Sequence, residues 1–385
     1  MPKKHMEALS GSCRLAATAA ADSEAYDHEC TSWLIFSDLT GNGTHILHKN
    51  RDAKPRNLMP LFSRPDSPRK WIGLGDGEVG GTAAGTVCVC MGMNSSGLAA
   101  VVNSGEKTVE PSDPQGTMGT PAIIQYCLAE CDTAAQAVEK VREVLRSRRY
   151  SHGERGSIFF FMDTREAYIA ELTAERCSAL RYDHGYALRA KIRHNPDMAY
   201  AADDTDVHWL DSANREFAVI QNLNRVRRAR GRITPADCLE LSRLTAAPEG
   251  SPVARSICSR TTNSASTLVI DLKAPEVLST GWFLIGPPRH TISLPFPICA
   301  ENPLHSMTNL QWSKAAWKRF DAQGFDAELP PAWRDFESAS LRQYETARAE
   351  AAKLLEAGRR GEAVTLLNDT AAAIWNSAEK LLPIE

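Results

Sequence analysis

Through most of the chain, apolar residues come in short runs bounded by clusters of Gly, Asn, Asp and Ser, the pattern of strands rather than of long helices. Residues 31–37 and 44–48 read as two strands joined by the turn-forming segment Asp38-Leu-Thr-Gly-Asn-Gly. Further strands are predicted at 86–91, 98–103, 158–162, 167–172, 179–182 and 186–189, most of them linked by short turns that favour antiparallel pairing. Strands resume at 266–271 and 281–285, flanking Ala274-Pro275, and would complete a sheet before Gly286-Pro287-Pro288 breaks it.

Helical spacing interrupts these strands twice. Residues 121–130 and 133–148 form one pair, the second with Asp132 as its expected N-cap and Ala137, Val141, Val144 and Leu145 on one face. Residues 212–225 and 235–244 form another, with Thr234 as cap and Pro235 in the first helical position. Antiparallel runs alternating with helix pairs predict an α+β layered fold, two sheets covered by helices. The last 80 or so residues change period: Leu341, Tyr344, Ala351 and Leu354, then Val364, Leu367, Ala371, Ile374 and Trp375, recur at helical spacing, with Gly358 and Gly361 at the break. This helical hairpin would pack on the body or on a second copy of the chain, so a homodimer is among the expected partners. The expected division is therefore a leader at 1–29, a body at 30–300 and a helical extension at 301–385.

Composition narrows the class. The chain has 385 residues, 43% hydrophobic and 24% charged, with a net charge of −3. Such a near-neutral balance supplies no general attraction to nucleic acid or to an acidic membrane. The basic runs 142–149 and 225–232 lack interleaved aromatics for base stacking and read as solvated helix ends. No apolar stretch approaches the roughly 20 residues of a membrane helix. Ten cysteines in a chain of this length make no disulfide scaffold. Several sit in apolar runs where reduced thiols pack, and a cytoplasmic location is expected, with export the alternative. Residues 1–29 show no sustained apolar period, and Glu7, Cys13 and Arg14 interrupt what would be the core of a signal peptide.

Several catalytic signatures are absent, among them Gly-x-Ser-x-Gly, His-Glu-x-x-His and the Walker loop. The glycine-rich stretch at 73–81 is followed by a strand rather than a helix, so it lacks a phosphate-binding helix N-terminus and reads as a surface loop. Cys88-x-Cys90 and Cys127-x-x-x-Cys131 each place two sulfurs on one face, but a structural zinc site needs four ligands close together. No metal or organic cofactor is expected.

The informative stretch is Cys30-Thr31-Ser32-Trp33, directly after the leader, with Lys49-Asn50-Arg51-Asp52 at the end of the next strand. A cysteine in a strand is ordinarily a core thiol. If residues 1–29 were removed, however, Cys30 would own a free α-amino group, whose pKa of about 7.7–8.0 suits a general base at neutral pH. Nucleophile and base would then be one residue, with Asp52 orienting the amine.

These residues resemble the cysteine N-terminal nucleophile (Ntn) hydrolases, specifically the branch related to acyl-coenzyme A:6-aminopenicillanic acid acyltransferase, with choloylglycine hydrolase and penicillin V acylase as more distant relatives. Cys30-Thr31-Ser32 resembles that family's Cys-Thr-Ser start, and Lys49-Asn50-Arg51-Asp52 its Arg/Lys-Asn-x-Asp segment. Met93-Asn94-Ser95-Ser96-Gly97-Leu98 with Val102-Asn103 is similar to its Met-Asn-x-x-Gly-Leu…Asn element. His194-Asn195-Pro196 and Ser212-Ala213-Asn214-Arg215 resemble further family segments. The resemblance spans about residues 30–288 and implies an αββα sandwich, a precursor that cleaves its own bond between Glu29 and Cys30, and a catalytic set of Cys30, Asp52, Asn103, Asn195 and Arg215. Asn103 inherits the oxyanion-donor role, and Lys49 and Arg51 are placed against substrate.

The expected activity is cleavage of a linear amide or small peptide bond through a Cys30 thioester. Hydrolysis is favoured over acyl transfer, since transfer needs a second bound substrate and exclusion of water. The expected partner is a small amide or peptide, with neither nucleic acid nor membrane. The rival reading is a non-catalytic binding or assembly protein on the same fold, with Cys30 internal to the chain.

Overall fold

The computed structural model describes residues 30–54, 56–76, 88–110, 116, 118–151, 155–198, 201–202, 209–246, 256–301 and 303–382. The leader and part of the glycine-rich stretch lie outside these residues.

Strand β1 (Thr31–Ile35), a short helix α1 (Ser37–Thr40) and strand β2 (Thr44–Asp52) open the fold. Strands β3 (Leu58–Phe62), β4 (Trp71–Asp76), β5 (Cys88–Asn94) and β6 (Ala99–Lys107) follow. Helices α2 (Thr120–Glu130) and α3 (Ala134–Arg146) lead to β7 (Arg155–Met162), β8 (Ala167–Leu172), β9 (Cys177–Tyr182) and β10 (Tyr186–Arg189). Next come α4 (Trp209–Arg230), α5 (Pro235–Leu241), β11 (Thr262–Asp271), α6 (Pro275–Leu278), β12 (Thr280–Leu284) and β13 (Ser293–Pro297). Helices α7 (His305–Thr308), α8 (Gln311–Gln323), α9 (Pro331–Glu356) and α10 (Arg360–Glu379) close the chain.

The strands form two antiparallel sheets, one in the order β10-β1-β2-β11-β12-β13 and the other in the order β3 to β9. The fold is α+β, and its layers run helix, sheet, sheet, helix. Leu34, Leu47 and Leu268 of the first sheet meet Met91, Val101 and Phe160 of the second in one buried core. Val89, Phe159 and Phe161, on the other face of the second sheet, pack under Ile124, Leu128 and Val141 of α2 and α3. Trp33, Ile35 and Ile46 pack under Val219, Leu223 and Cys238 of α4 and α5. The large buried apolar surface on both faces of each sheet is the main source of stability.

The structure corrects several local expectations. β2 runs on through Lys49, Asn50 and Arg51 to Asp52, so that polar cluster lies inside a buried strand rather than beyond its end. Gly73 to Asp76 belong to β4 instead of a surface loop. There Gly73 pairs with Gly92 of β5. A Cβ on Gly92 would stand 2.5 Å from the Ile72 carbonyl oxygen and 3.0 Å from Leu128, so glycine lets helix α2 settle onto the sheet. The cap of α3 is Thr133 in a capping box with Gln136, whereas Asp132 makes an ion pair with Arg69. Thr234 and Pro235 begin α5 as expected. The Gly286-Pro287-Pro288 break does not end the sheet, since β13 returns to pair with β12.

The C-terminal helices share the core. Tyr344 of α9 lies edge-on to Trp282 of β12 with centroids 5.6 Å apart and hydrogen-bonds with Thr280. Trp375 of α10 packs on Phe296 of β13 and donates to the Pro295 carbonyl at 2.8 Å.

Candidate active site

The register of β1 against β2 places Thr31 opposite Asn50 and Ser32 opposite Lys49, so Cys30 continues opposite Arg51. Side chains alternate along each strand, which puts Cys30, Ser32, Lys49 and Arg51 on the face toward the second sheet. Thr31, His48 and Asn50 face the helices behind. Both faces are polar here, and each is held by specific partners.

On the inner face, Asn103 of β6 is the hub. Its Oδ1 accepts from Ser32 Oγ at 2.7 Å and from Lys49 Nζ at 3.0 Å, and its Nδ2 donates to the carbonyls of Arg189 and Ala190 at 3.0 and 3.1 Å. An ammonium can only donate and a carbonyl can only accept, so chemistry fixes which way this amide points. Both amide hydrogens are thereby committed to the backbone, and the oxyanion-donor role expected of Asn103 has no free hydrogen in this conformation. The Lys49 ammonium, 1% exposed, also donates to the Val102 carbonyl at 2.6 Å. Its two acceptors are neutral, so a buried positive charge stands two positions along the sheet face from the thiol.

Arg51 forms a two-pronged pair with Asp76 of β4, both contacts at 2.7 Å. Burial by itself would depress the Arg51 guanidinium. The attraction of the Cys90 sulfur, the Asp76 carboxylate and the Cys30 sulfur more than offsets that and holds it above the ordinary arginine range. Arg51 is thus a fixed cation beside Cys30.

Behind the strands, Arg215 of α4 is 1% exposed. Its Nη1 donates to the Cys30 carbonyl at 2.8 Å and to Thr31 Oγ1 at 2.7 Å, while Nε pairs with Asp211 one helical turn earlier at 3.0 Å. This clamp fixes the backbone on the carboxyl side of Cys30. Asp52, the last residue of β2, is buried and accepts from Thr262 Oγ1 at 2.6 Å. Asn50 ties β2 to the Ser242 and Ile257 carbonyls at 2.9 and 3.1 Å.

The structure therefore gathers Cys30, Lys49, Arg51, Asp52, Asn103 and Arg215 around the start of β1. Asn195 stands one step back. Its amide donates to Ser178, its Oδ1 meets Arg189 at 3.4 Å, and its N–H donates to Glu171 at 3.0 Å. Through Arg189, whose carbonyl holds Asn103, it supports the hub rather than lining the thiol.

Sequence reasoning did not single out Glu171, Arg189, Glu216 or Asp76. Glu171, fully buried, accepts from Arg189 Nε at 3.0 Å and from the N–H groups of His194 and Asn195. Glu216 accepts from the Ala190 N–H and contacts His194 Nε2, each at 2.8 Å. A carboxylate in the apolar run Ala167–Leu172 was the available signal for Glu171, since a charge in a buried strand must find partners.

No family model matches the sequence, and no curated protein matches it. Among solved structures, one similar chain is a variant of the conjugated bile acid hydrolase from Clostridium perfringens, at 16% identity and a TM-score of 0.48, covering 71% of this chain and 94% of that one. Another is penicillin V acylase from Agrobacterium tumefaciens, at 14% identity and a TM-score of 0.41, covering 70% of this chain and 86% of that one.

Proposed function

We propose that this protein is an amide hydrolase of the cysteine Ntn type, in which removal of residues 1–29 makes Cys30 both nucleophile and, through its new α-amino group, general base. The observation that carries this reading is the setting of Cys30: it directly precedes a buried strand, its carbonyl is clamped by Arg215, and the facing side of the sheet holds Lys49, Arg51 and Asn103. A core thiol has no need of three buried cations around it. Desolvating them costs free energy that a structural role would not repay.

In the proposed cycle the Cys30 sulfur attacks the carbonyl carbon of a linear amide while its proton passes to the α-amine. The amine returns that proton to the departing nitrogen, and water then cleaves the thioester. Asp52 orients the amine from the end of β2, next to Arg51. The tetrahedral oxyanion is met by the Lys49 ammonium, whose remaining hydrogen is directed by Asn103 Oδ1 and the Val102 carbonyl. Asn103 thus serves the oxyanion through Lys49, and Asn195 through its hold on Arg189. The reading favours hydrolysis over transfer, a small amide or peptide as substrate, and a cytoplasmic, cofactor-independent enzyme.

The test compares intact masses of wild type and Cys30→Ala, together with turnover of a panel of linear N-acyl amides. Wild type should begin at Cys30 and turn over at least one amide, while Cys30→Ala keeps its leader and is inactive. A wild-type protein that stays folded with residues 1–29 attached, and whose thiol resists alkylation, would replace this reading with the binding-protein one.

A further inference from the structure

The segment from Arg189 to Arg193 ties the reaction face to a second buried charge pair that the proposed cycle does not use. Its near end is held by β1, where Arg189 pairs with Ser32. Its far end is held by β6. There Ser104 pairs with Ser157 and Lys107 with Arg155, so two residues of β6, Gly105 and Glu106, stand against the single Gly156 of β7. Such a bulge bends a strand and re-aims its side chains. Glu106 grips the segment three times: its N–H donates to the Lys191 carbonyl at 3.1 Å, its Oε2 accepts the Arg193 N–H at 3.0 Å, and its carbonyl accepts from Arg193 Nη2 at 3.1 Å. Between the two anchors lie the Arg189 and Ala190 carbonyls that hold the Asn103 amide.

Two glycines make room for the Arg193 guanidinium. A Cβ on Gly156 would stand 2.5 Å from its Nη2, and one on Gly105 would stand 2.8 Å from the same atom. Arg193 and Glu106 are both buried. As a source of stability the pair is poor. Nη1 stands 3.7 Å from Glu106 Oε2, outside hydrogen-bond distance, and among the described residues neither Nε nor Nη1 has a hydrogen-bond partner. A guanidinium buried on such terms costs more than an apolar side chain of the same length. What the arrangement delivers is place: it fixes residues 191–193 against Gly105 and Glu106, two and three positions past Asn103 on the same strand.

On the reading of Cys30 as the nucleophile, on which this assignment rests, we propose that Arg193 is a positioning residue that acts through Ala190 and Asn103 on the Lys49 ammonium. Its lock on Glu106 sets where the Ala190 carbonyl stands. That carbonyl, with its Arg189 neighbour, sets the plane of the Asn103 amide. Oδ1 of the same amide accepts from Lys49 Nζ at 3.0 Å, so the direction of the ammonium hydrogen left for the oxyanion follows from it. Without the lock, the segment keeps its β1 pairing at Arg189 and the Ala190 N–H bond to Glu216, but loses its far anchor. The fold survives and the amide gains freedom to turn. Substrate binding in the ground state is untouched, whereas stabilisation of the transition state is weakened.

Three variants separate positioning from mere support. Arg193→Met keeps the length of the side chain and removes its donors, Arg193→Lys keeps one donor for the Glu106 carbonyl, and Gly105→Ala keeps Arg193 but pushes its Nη2 aside. Each is compared with wild type on a linear N-acyl amide that wild type turns over, using protein shown by intact mass to begin at Cys30. In Arg193→Met, kcat should fall about 10-fold or more with KM unchanged, less than the roughly 100-fold or more that follows outright deletion of an oxyanion donor. Gly105→Ala should lose less, and Arg193→Lys should recover most of the loss. Leader removal, which passes through an oxyanion at the same thiol, should slow in the same order. Alkylation of Cys30 by iodoacetamide, a displacement at saturated carbon that develops no oxyanion, should keep its wild-type rate in all three. The proposal is overturned if kcat in Arg193→Met and Gly105→Ala matches wild type. It is equally overturned if kcat falls only in step with the alkylation rate and the melting temperature, the mark of a structural strut. Absence of amide turnover in wild type would instead overturn the Cys30 reading, and the role of Arg193 with it.

Discussion

His48, behind the site, ties β2 to both of its neighbouring strands. Its ring stacks on Trp33 with centroids 4.0 Å apart, Nδ1 meets Thr267 Oγ1 at 2.8 Å, and Nε2 meets Asn50 Oδ1 at 3.0 Å. Because Asn50 uses its amide hydrogens on two carbonyls, Nε2 carries the imidazole proton and Nδ1 accepts. Burial lowers the His48 pKa from 6.5 to about 3. The folded state therefore binds fewer protons than the unfolded chain between those values. The stability this confers is complete above about pH 6.5 and is lost as pH falls toward about 3, with a slope of up to about 1.4 kcal/mol per pH unit. Of the fall in wild-type urea midpoints between about pH 7 and about pH 5, His48 should contribute the equivalent of about 2 kcal/mol. His48→Gln should lose that share, retaining only the part from His45 and His290, whose burial shifts them in the same direction. Equal drops in both proteins would dismiss His48 as the origin. In the sequence, His48 was visible only as one polar letter in a strand. Its neutrality depends on Trp33, Asn50 and Thr267 arriving from three directions.

At the scale of elements, the ties between layers differ in worth by their burial. The Arg243–Glu337 pair joins the segment after α5 to α9, with contacts at 2.6 and 2.9 Å and both side chains under 10% exposed, and Glu337 also accepts the Ser293 N–H. Truncating Glu337 to Ala leaves a buried guanidinium and a backbone donor without their carboxylate, a loss of about 3–5 kcal/mol in chemical denaturation. Thr133→Ala removes only a helix cap at the surface and should cost about 1 kcal/mol. If Glu337→Ala were no more costly than Thr133→Ala, α9 would not be an integral layer. The helices themselves were legible, since α3, α5, α9 and α10 follow from their apolar spacing and punctuation. β3, β4 and β13 were not, because glycine and proline within them read as breaks. Their places in the sheets are decided by cross-strand partners such as Gly92 for Gly73.

For the whole molecule, the consequence is that the chain from residue 303 onward covers the β12–β13 end of the first sheet. Trp282, Phe283 and Phe296, all fully buried, share a core with Trp312, Tyr344 and Trp375. A chain ending at residue 302 would expose that edge to water, a cost of about 25 cal/mol for each Å² of apolar surface uncovered. It should lose its cooperative thermal transition and aggregate, measured by circular dichroism melts and light scattering. A truncated chain that melted cooperatively would make the tail a separate extension, as its change of period suggested.

What the sequence determined by itself was local in origin. Period set the alternation of strands and helices, Thr234-Pro235 set a helix start, and the runs Cys30-Thr31-Ser32 and Lys49-Asn50-Arg51-Asp52 pointed to one end of two neighbouring strands. What only the tertiary structure decided was which groups hydrogen-bond to which. Asn103 lies 71 residues from Ser32 and 86 from Arg189, and its donors and acceptors are assigned only when β1, β2, β6 and β10 meet. Hydrogen bonds and desolvation act over a few ångströms of space, whatever the separation along the chain. The order of residues can nominate Asn103 for the site, but the folded neighbours decide whether its hydrogens are free.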